Sequence, residues 1–168
     1  QADGHLVREL CRHVRTWGGD DFHFTTLQVL AAGSQCDWHR DNGNLGPSLL
    51  AAGWQLEGGR LRGQIGSRIF LVDVRGKPVM LDGAHLHSTV PHEGARCALV
   101  AFTHSSMFTI SKVERDLLES FGFAPPRMES EVPATSYPIW RPGSLRARGD
   151  CYMESFSWEL SRYSSHRG

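Results

Sequence analysis

The chain has 168 residues, with Lys plus Arg and Asp plus Glu balanced at 18 each and a hydrophobic share of 40%, the composition of one ordinary folded domain. With a formal net charge of zero there is no global field to recruit nucleic acid or an anionic membrane surface, so any nucleic-acid contact has to be local. No apolar stretch approaches the ~20 residues that cross a bilayer, and no charged-then-apolar leader opens the chain. Its start at Gln1 is expected of a processed or excised piece of something longer. The four cysteines, Cys11, Cys36, Cys97 and Cys151, are scattered without a CxxC pair. Reduced thiols and an intracellular location, nucleus or cytoplasm, are the expectation.

In chain order, His5 to Trp17 sets Leu6, Leu10, His13 and Val14 at helical spacing, with Asp3 ahead of them as an N-cap, and predicts an amphipathic helix. After the turn Gly18-Gly19-Asp20-Asp21, the β-branched and aromatic run Phe22 to Ala31, bounded by Gly33-Ser34, predicts a strand. Four more strand-like runs follow near Gln35 to His39, Ser48 to Leu56, Ile69 to Val74 and Val79 to Leu81. Arg96 to His104 closes the series, strongly apolar and without a helical period. Short strands at close intervals behind one helix predict a sandwich or barrel decorated by helices. Ser111 to Phe121 predicts a second helix, with Leu117, Leu118 and Phe121 available for packing and Gly122 as its stop. Beyond Pro125-Pro126 the composition turns to Pro, Ser, Arg and Glu with isolated aromatics at Tyr137, Trp140, Tyr152, Phe156 and Trp158. Residues 1–124 are therefore expected to form the domain, and residues 125–168 a tail that wraps it or stays partly disordered.

The chemistry-bearing pattern is Trp38-His39-Arg40-Asp41. In an extended segment positions i and i+2 point to the same side, so the His39 imidazole and the Asp41 carboxylate converge. Two histidines and one carboxylate on one face of Fe(II) leave the opposite face open for cosubstrate and dioxygen, as an oxygenase needs. The second histidine has to come from a distant strand, and His85, His87, His92 and His104 are the candidates. The local sequence favours His87, which heads Ser88-Thr89-Val90-Pro91 before Gly94-Ala95-Arg96 turns into the apolar strand. His85 is its main rival, while His92 reads as a loop histidine and His104 as a strand-end one. Arg96 shares one strand face with Ala98, Val100 and Phe102, and its planar fork suits a carboxylate. A structural partner such as Glu93 or Asp82 is the alternative.

The order His39, Asp41, His87, Arg96 in a multi-strand background resembles the Fe(II)/2-oxoglutarate dioxygenase superfamily, from about Phe22 to Phe102. The resemblance implies a double-stranded β-helix, or jelly roll: a mainly β fold with flanking helices and the triad at the barrel mouth. Within it, His39-Arg40-Asp41-Asn42-Gly43-Asn44-Leu45-Gly46-Pro47-Ser48 looks like the HRDxxN-type stretch of the TET/JBP-like group, which oxidises the methyl group of pyrimidine bases. Gly58-Gly59-Arg60-Leu61 and the segment His87 to Arg96 are similar to the GGxL and HxxxPxxGxR segments of that group's relatives.

By that resemblance, His39, Asp41 and His87 hold Fe(II) and are catalytic. Arg96 pairs with the far carboxylate of 2-oxoglutarate, which is decarboxylated to succinate as a C–H bond is hydroxylated, with ascorbate as reductant. Asn44 corresponds to an asparagine near the target base, where an amide reads a base edge. Its other reading is a turn residue beside Gly43 and Gly46. Arg40 lines the entrance or is a solvated charge, and Ser48 supports the site or begins a strand. Gly58-Gly59 is a tight turn or leaves room for substrate, and Trp38 and Trp54 are core or rim aromatics. The implied partner is DNA or RNA at a local site. The competing functions are a dioxygenase acting on a protein side chain or small molecule, and a non-catalytic jelly-roll metal-binding module.

Overall fold

The computed structural model describes residues 2–30, 35–54, 59–94 and 96–132. It begins with α1 (Ala2–Gly18), which starts earlier than the spacing suggested and so takes Asp3 into its first turn instead of leaving it as the cap. Seven strands follow: β1 (Thr26–Leu30), β2 (Asn44–Trp54), β3 (Leu61–Ile65), β4 (Arg68–Val72), β5 (Val79–Asp82), β6 (His87–Thr89) and β7 (Arg96–His104), with α2 (Lys112–Ser120) behind them. The strands form two antiparallel sheets, one in the order β1-β7-β2-β5 and the other β4-β3-β6. The fold is thus mainly β with flanking helices, with the two antiparallel sheets that a jelly roll requires. Among the described residues no helix is long and apolar enough to cross a membrane.

At β2 and β7 the four-stranded sheet is covered on both faces, which is why these two strands are apolar without strict alternation. On one side Leu49, Ala51, Leu99 and Ala101 pack with Leu10, Val14 and Trp17 of α1 and with Phe22, Phe24 and Phe123. On the other, Leu50, Ala52 and Ala98 pack with Val79 and Leu81 of β5 and with Leu61 of the smaller sheet, so this cluster joins the two sheets. The register Ala51↔Leu99 and Ala52↔Ala98 holds β2 against β7, with a shift between Leu45 and Leu49 that frees the first residues of β2 from the regular ladder.

α2 is fixed by local chemistry more than by burial. Ser111 and Glu114 form a reciprocal capping box, and Gly122 follows with φ 95°, the left-handed conformation that ends helices. Arg15 of α1 donates to the carbonyls of Gly122 and Phe123 at 2.8 and 3.0 Å, tying the helices together. Leu118 and Phe121 pack against the core. Leu117, expected to pack, is exposed instead, because the helix lies on the surface and buries one narrow stripe.

β1 begins at Thr26 and not Phe22, β2 at Asn44 and not Ser48, and β4 runs Arg68–Val72 and not Ile69 to Val74; three strand assignments differ more deeply from expectation. Gln35 to His39 forms no regular strand; its pairing is an isolated bridge between His39 and His87. β3 and β6, which the sequence did not reveal, pair with each other through Leu61↔Thr89, Arg62↔Ser88 and Gly63↔His87. The expected strand boundaries at Ala31, Gly33-Ser34 and Leu56 lie outside the described residues, as do Gly58, Cys151 and the tail aromatics from Tyr137 onward. Within the described start of that tail, Pro126 is fully buried and its carbonyl accepts a hydrogen bond from Arg115 at 2.6 Å.

Candidate metal centre

His39 and His87 reach one another through the main chain. The His39 N–H donates to the His87 carbonyl at 2.9 Å and the His87 N–H to the His39 carbonyl at 3.0 Å. Residues paired in this way hold their side chains on the same side of the ladder, and the two imidazole centroids are 4.2 Å apart. Asp41 is anchored separately, its N–H donating to the Gly83 carbonyl at 2.8 Å. One carboxylate oxygen lies 3.6 Å from His39 Nε2 and the other 3.7 Å from His87 Nε2. One ligating atom from each of the three residues falls within 4.8 Å of the other two.

The hydrogen bonds set the histidine tautomers. His39 Nδ1 faces the Asp37 carbonyl at 2.6 Å and His87 Nδ1 faces the His85 carbonyl at 2.8 Å. A carbonyl can only accept, so both Nδ1 atoms carry hydrogen, and Nε2 is the ring atom each histidine brings near Asp41. Burial pushes the His87 imidazole below its ordinary pKa, which favours the neutral, ligating form. Metal bonds of about 2.1 Å put neighbouring ligand atoms about 3 Å apart, so a small inward movement from 3.6 and 3.7 Å would close the site. Two imidazoles and a carboxylate on one side are a donor set that suits a divalent transition metal.

Asn44 opens β2 beside the triad. Its Nδ2 donates to Asp41 Oδ2 at 3.3 Å and to Ser48 Oγ at 3.1 Å, and Ser48 is wholly buried. The amide thus faces inward and holds the carboxylate, leaving only its oxygen free for outward recognition. Gly83, which sequence reasoning did not single out, is tight against Asp41: a Cβ there would meet Asp41 Cβ at 2.8 Å and Oδ2 at 3.0 Å. Its only advance signal was its place in Asp82-Gly83-Ala84, a turn sequence ahead of the histidines.

The other candidates divide clearly. His85 contributes its carbonyl to orient His87, while its ring sits 3.6 Å from Asp82. His104 caps the 3-10 turn Ser105–Thr109, accepting from the Ser106 N–H. Exposed Arg40 donates to the Ala84 carbonyl. Trp38 is 37% exposed beside His39, with the Arg62 guanidinium 5.1 Å from its ring centroid, a rim aromatic covered on one side; the Trp54 side chain lies outside the description.

Arg96 is 3% exposed, and its Nε has no hydrogen-bond partner among the described residues. Burial pushes its pKa down, opposed by the nearby Cys36 and Cys97 thiols. Neither Glu93 nor Asp82 forms a described ion pair with it; Asp82 engages His85 and the Ala84 N–H instead. Cys11, Cys36 and Cys97 are all free thiols.

No protein-family model matches the chain, and no curated protein matches it. Among solved structures, it is similar to a prolyl-4-hydroxylase from Pseudomonas putida, at 18% identity and a TM-score of 0.38, over 60% of this chain and 82% of that one. A likeness that faint decides nothing about function, which has to rest on the side chains.

Proposed function

We propose that the chain is an Fe(II)- and 2-oxoglutarate-dependent dioxygenase of the TET/JBP-like kind, hydroxylating the methyl group of a modified nucleic-acid base. The observation that carries the enzyme class is the convergence of His39, Asp41 and His87 within 4.8 Å, in a domain that also buries an Arg96 Nε with no partner among the described residues. Fe(II) bound there would couple the oxidative decarboxylation of 2-oxoglutarate to hydroxylation of a C–H bond, with ascorbate keeping the metal reduced. The chain's own work is placement. Main-chain bonds fix His39 against His87, the carbonyls of Asp37 and His85 aim both Nε2 atoms, and Asn44 steadies Asp41. Arg96 gives a carboxylate a charged donor away from water.

The nucleic-acid base is favoured by the rim. Trp38 adjoins His39 and offers a partly exposed ring backed by Arg62, a surface on which a base can stack, and Arg40 adds a local cation where the net charge supplies none. The inward-facing Asn44 amide supports instead a protein side chain or small molecule as substrate, since it removes the donor that would read a base edge. One assay separates these readings. Protein, Fe(II), ascorbate and 2-oxoglutarate are incubated with methylated single- and double-stranded DNA, following succinate and oxidised base together. Equimolar succinate and oxidised base is the expected result. Succinate formed without any base product would move the substrate to another class, and no succinate with any substrate would leave a metal-binding module.

A further inference from the structure

Beside Arg96 lies a second buried polar group for which no role has been given. Both ring nitrogens of His92 are inaccessible to solvent and without a hydrogen-bond partner among the described residues, as is Arg96 Nε. An imidazole always has at least one N–H to donate, and the great majority of buried donors are paired. His92 and Arg96 approach one point: a Cβ on Gly59 would lie 3.7 Å from His92 Cβ, 3.4 Å from Arg96 Cδ and 3.5 Å from Arg96 Nε. Gly59 has φ +67°, a backbone that side chains other than glycine's rarely adopt, so no side chain fills that point. Both side chains thus border Gly59, and no described residue receives the buried donors of either.

A cation is a poor occupant beside a guanidinium, and the three ligating residues that converge elsewhere do not include His92. An anion with two acceptor oxygens suits both groups, and a carboxylate is such an anion. We propose that His92 is a cosubstrate-binding residue that joins Arg96 in holding the distal carboxylate of 2-oxoglutarate, the imidazole N–H and the guanidinium each donating to it. This rests on the dioxygenase reading above and adds to it the residue that accompanies the arginine.

The test is titration calorimetry on the full chain loaded with Mn(II) in place of Fe(II), so that binding is measured without turnover. The ligands are 2-oxoglutarate and 2-oxobutyrate, which keeps the keto-acid end and lacks the distal carboxylate. His92→Phe is expected to weaken 2-oxoglutarate about tenfold, the worth of one hydrogen bond to a charged group, and to leave 2-oxobutyrate unchanged. His92→Asn, which keeps an N–H donor, is expected to recover part of the loss and serves as the folded variant if Phe is not tolerated. Equal weakening of both ligands, or wild-type 2-oxoglutarate affinity in a folded His92→Phe, overturns the role of His92. If Arg96→Met lowers affinity for 2-oxoglutarate while both His92 variants do not, the dioxygenase reading stands and only His92 is removed. Failure of the wild type to bind 2-oxoglutarate overturns the cosubstrate reading itself.

Discussion

The two sheets differ in what they bury. In the four-stranded sheet β2 and β7 are lined on both faces by aliphatic side chains, Leu49 and Leu99 toward α1 and Leu50 and Ala98 toward the other sheet. In the three-stranded sheet β6 consists of His87, Ser88 and Thr89, all buried and all polar, while β4 turns Ile69 and Leu71 outward at 62% and 53% exposure. Ser88 is satisfied by a 3.0 Å bond from Arg62 Nε, and His87 by the His85 carbonyl. The larger sheet supplies hydrophobic stability. The smaller one uses buried hydrogen bonds to carry a side chain of the candidate triad, at little gain to stability.

This contrast can be broken most decisively at the triad. His39→Ala, Asp41→Ala and His87→Ala should each abolish metal binding and turnover while leaving the thermal midpoint of the metal-free domain nearly unchanged, measured by metal titration beside circular dichroism. Loss of the fold in His87→Ala would make β6 a structural strand. His85→Ala should retain metal binding, because only its carbonyl is used. On the larger sheet, Leu99→Ala should cost about 2–5 kcal/mol by urea unfolding, the range for a fully buried aliphatic residue.

Arg96→Met should separate function from stability. A buried guanidinium whose Nε has no partner among the described residues carries a desolvation cost that those residues do not fully offset, so its replacement should stabilise the ligand-free domain by on the order of 1 kcal/mol while weakening 2-oxoglutarate binding. A loss of stability instead would reveal a structural ion pair.

A further effect is expected at alkaline pH, where burial pushes the Cys11 thiol up to about 12. The folded state favours the protonated thiol, so this contribution is intact below an unfolded-chain pKa of about 8.5 and is lost as pH rises from there toward 12. The urea midpoint should therefore fall between pH 8 and 10.5, and less steeply in Cys11→Ala. Smallest of all, Leu71→Ser on the exposed edge should change stability by no more than about 0.5 kcal/mol. A large loss there would mean that β4 is covered in solution.

The same difference explains what could be read in advance. β7 was legible to its last residue because nine residues, Arg96–His104, concentrate apolar and β-branched side chains. α2 was legible because Ser111, Glu114 and Gly122 punctuate it. β3 and β6 were not, since Leu61-Arg62-Gly63-Gln64-Ile65 has a glycine at its centre and β6 is three polar residues long. At the site, the pattern of His39, Asp41 and His87 named residues that the fold brings together, but not the reason they meet. The expected strand over Gln35 to His39 is a single bridge, and the roles of Gly83 and of the Asp37 and His85 carbonyls come from the backbone, on which side-chain identity is silent. Asn44 was named, though its amide turns toward Asp41 and away from the solvent.

In the proposed metal site, the His39↔His87 bridge has a consequence for how an ion would be acquired. Because hydrogen bonds of the polypeptide itself hold the two imidazoles together, two of the three donors stand side by side before any ion arrives, and chelation has only a small inward movement of the carboxylate and rings to complete. Such a site cannot reject an ion by declining to fold around it. Affinity should follow the Irving–Williams series, with copper, nickel and zinc outcompeting iron at equal free concentration. Which metal would occupy the proposed site in a cell is then decided by the cell's free-metal pools, and zinc-loaded protein without the proposed dioxygenase activity is the expected product of overexpression in zinc-rich medium.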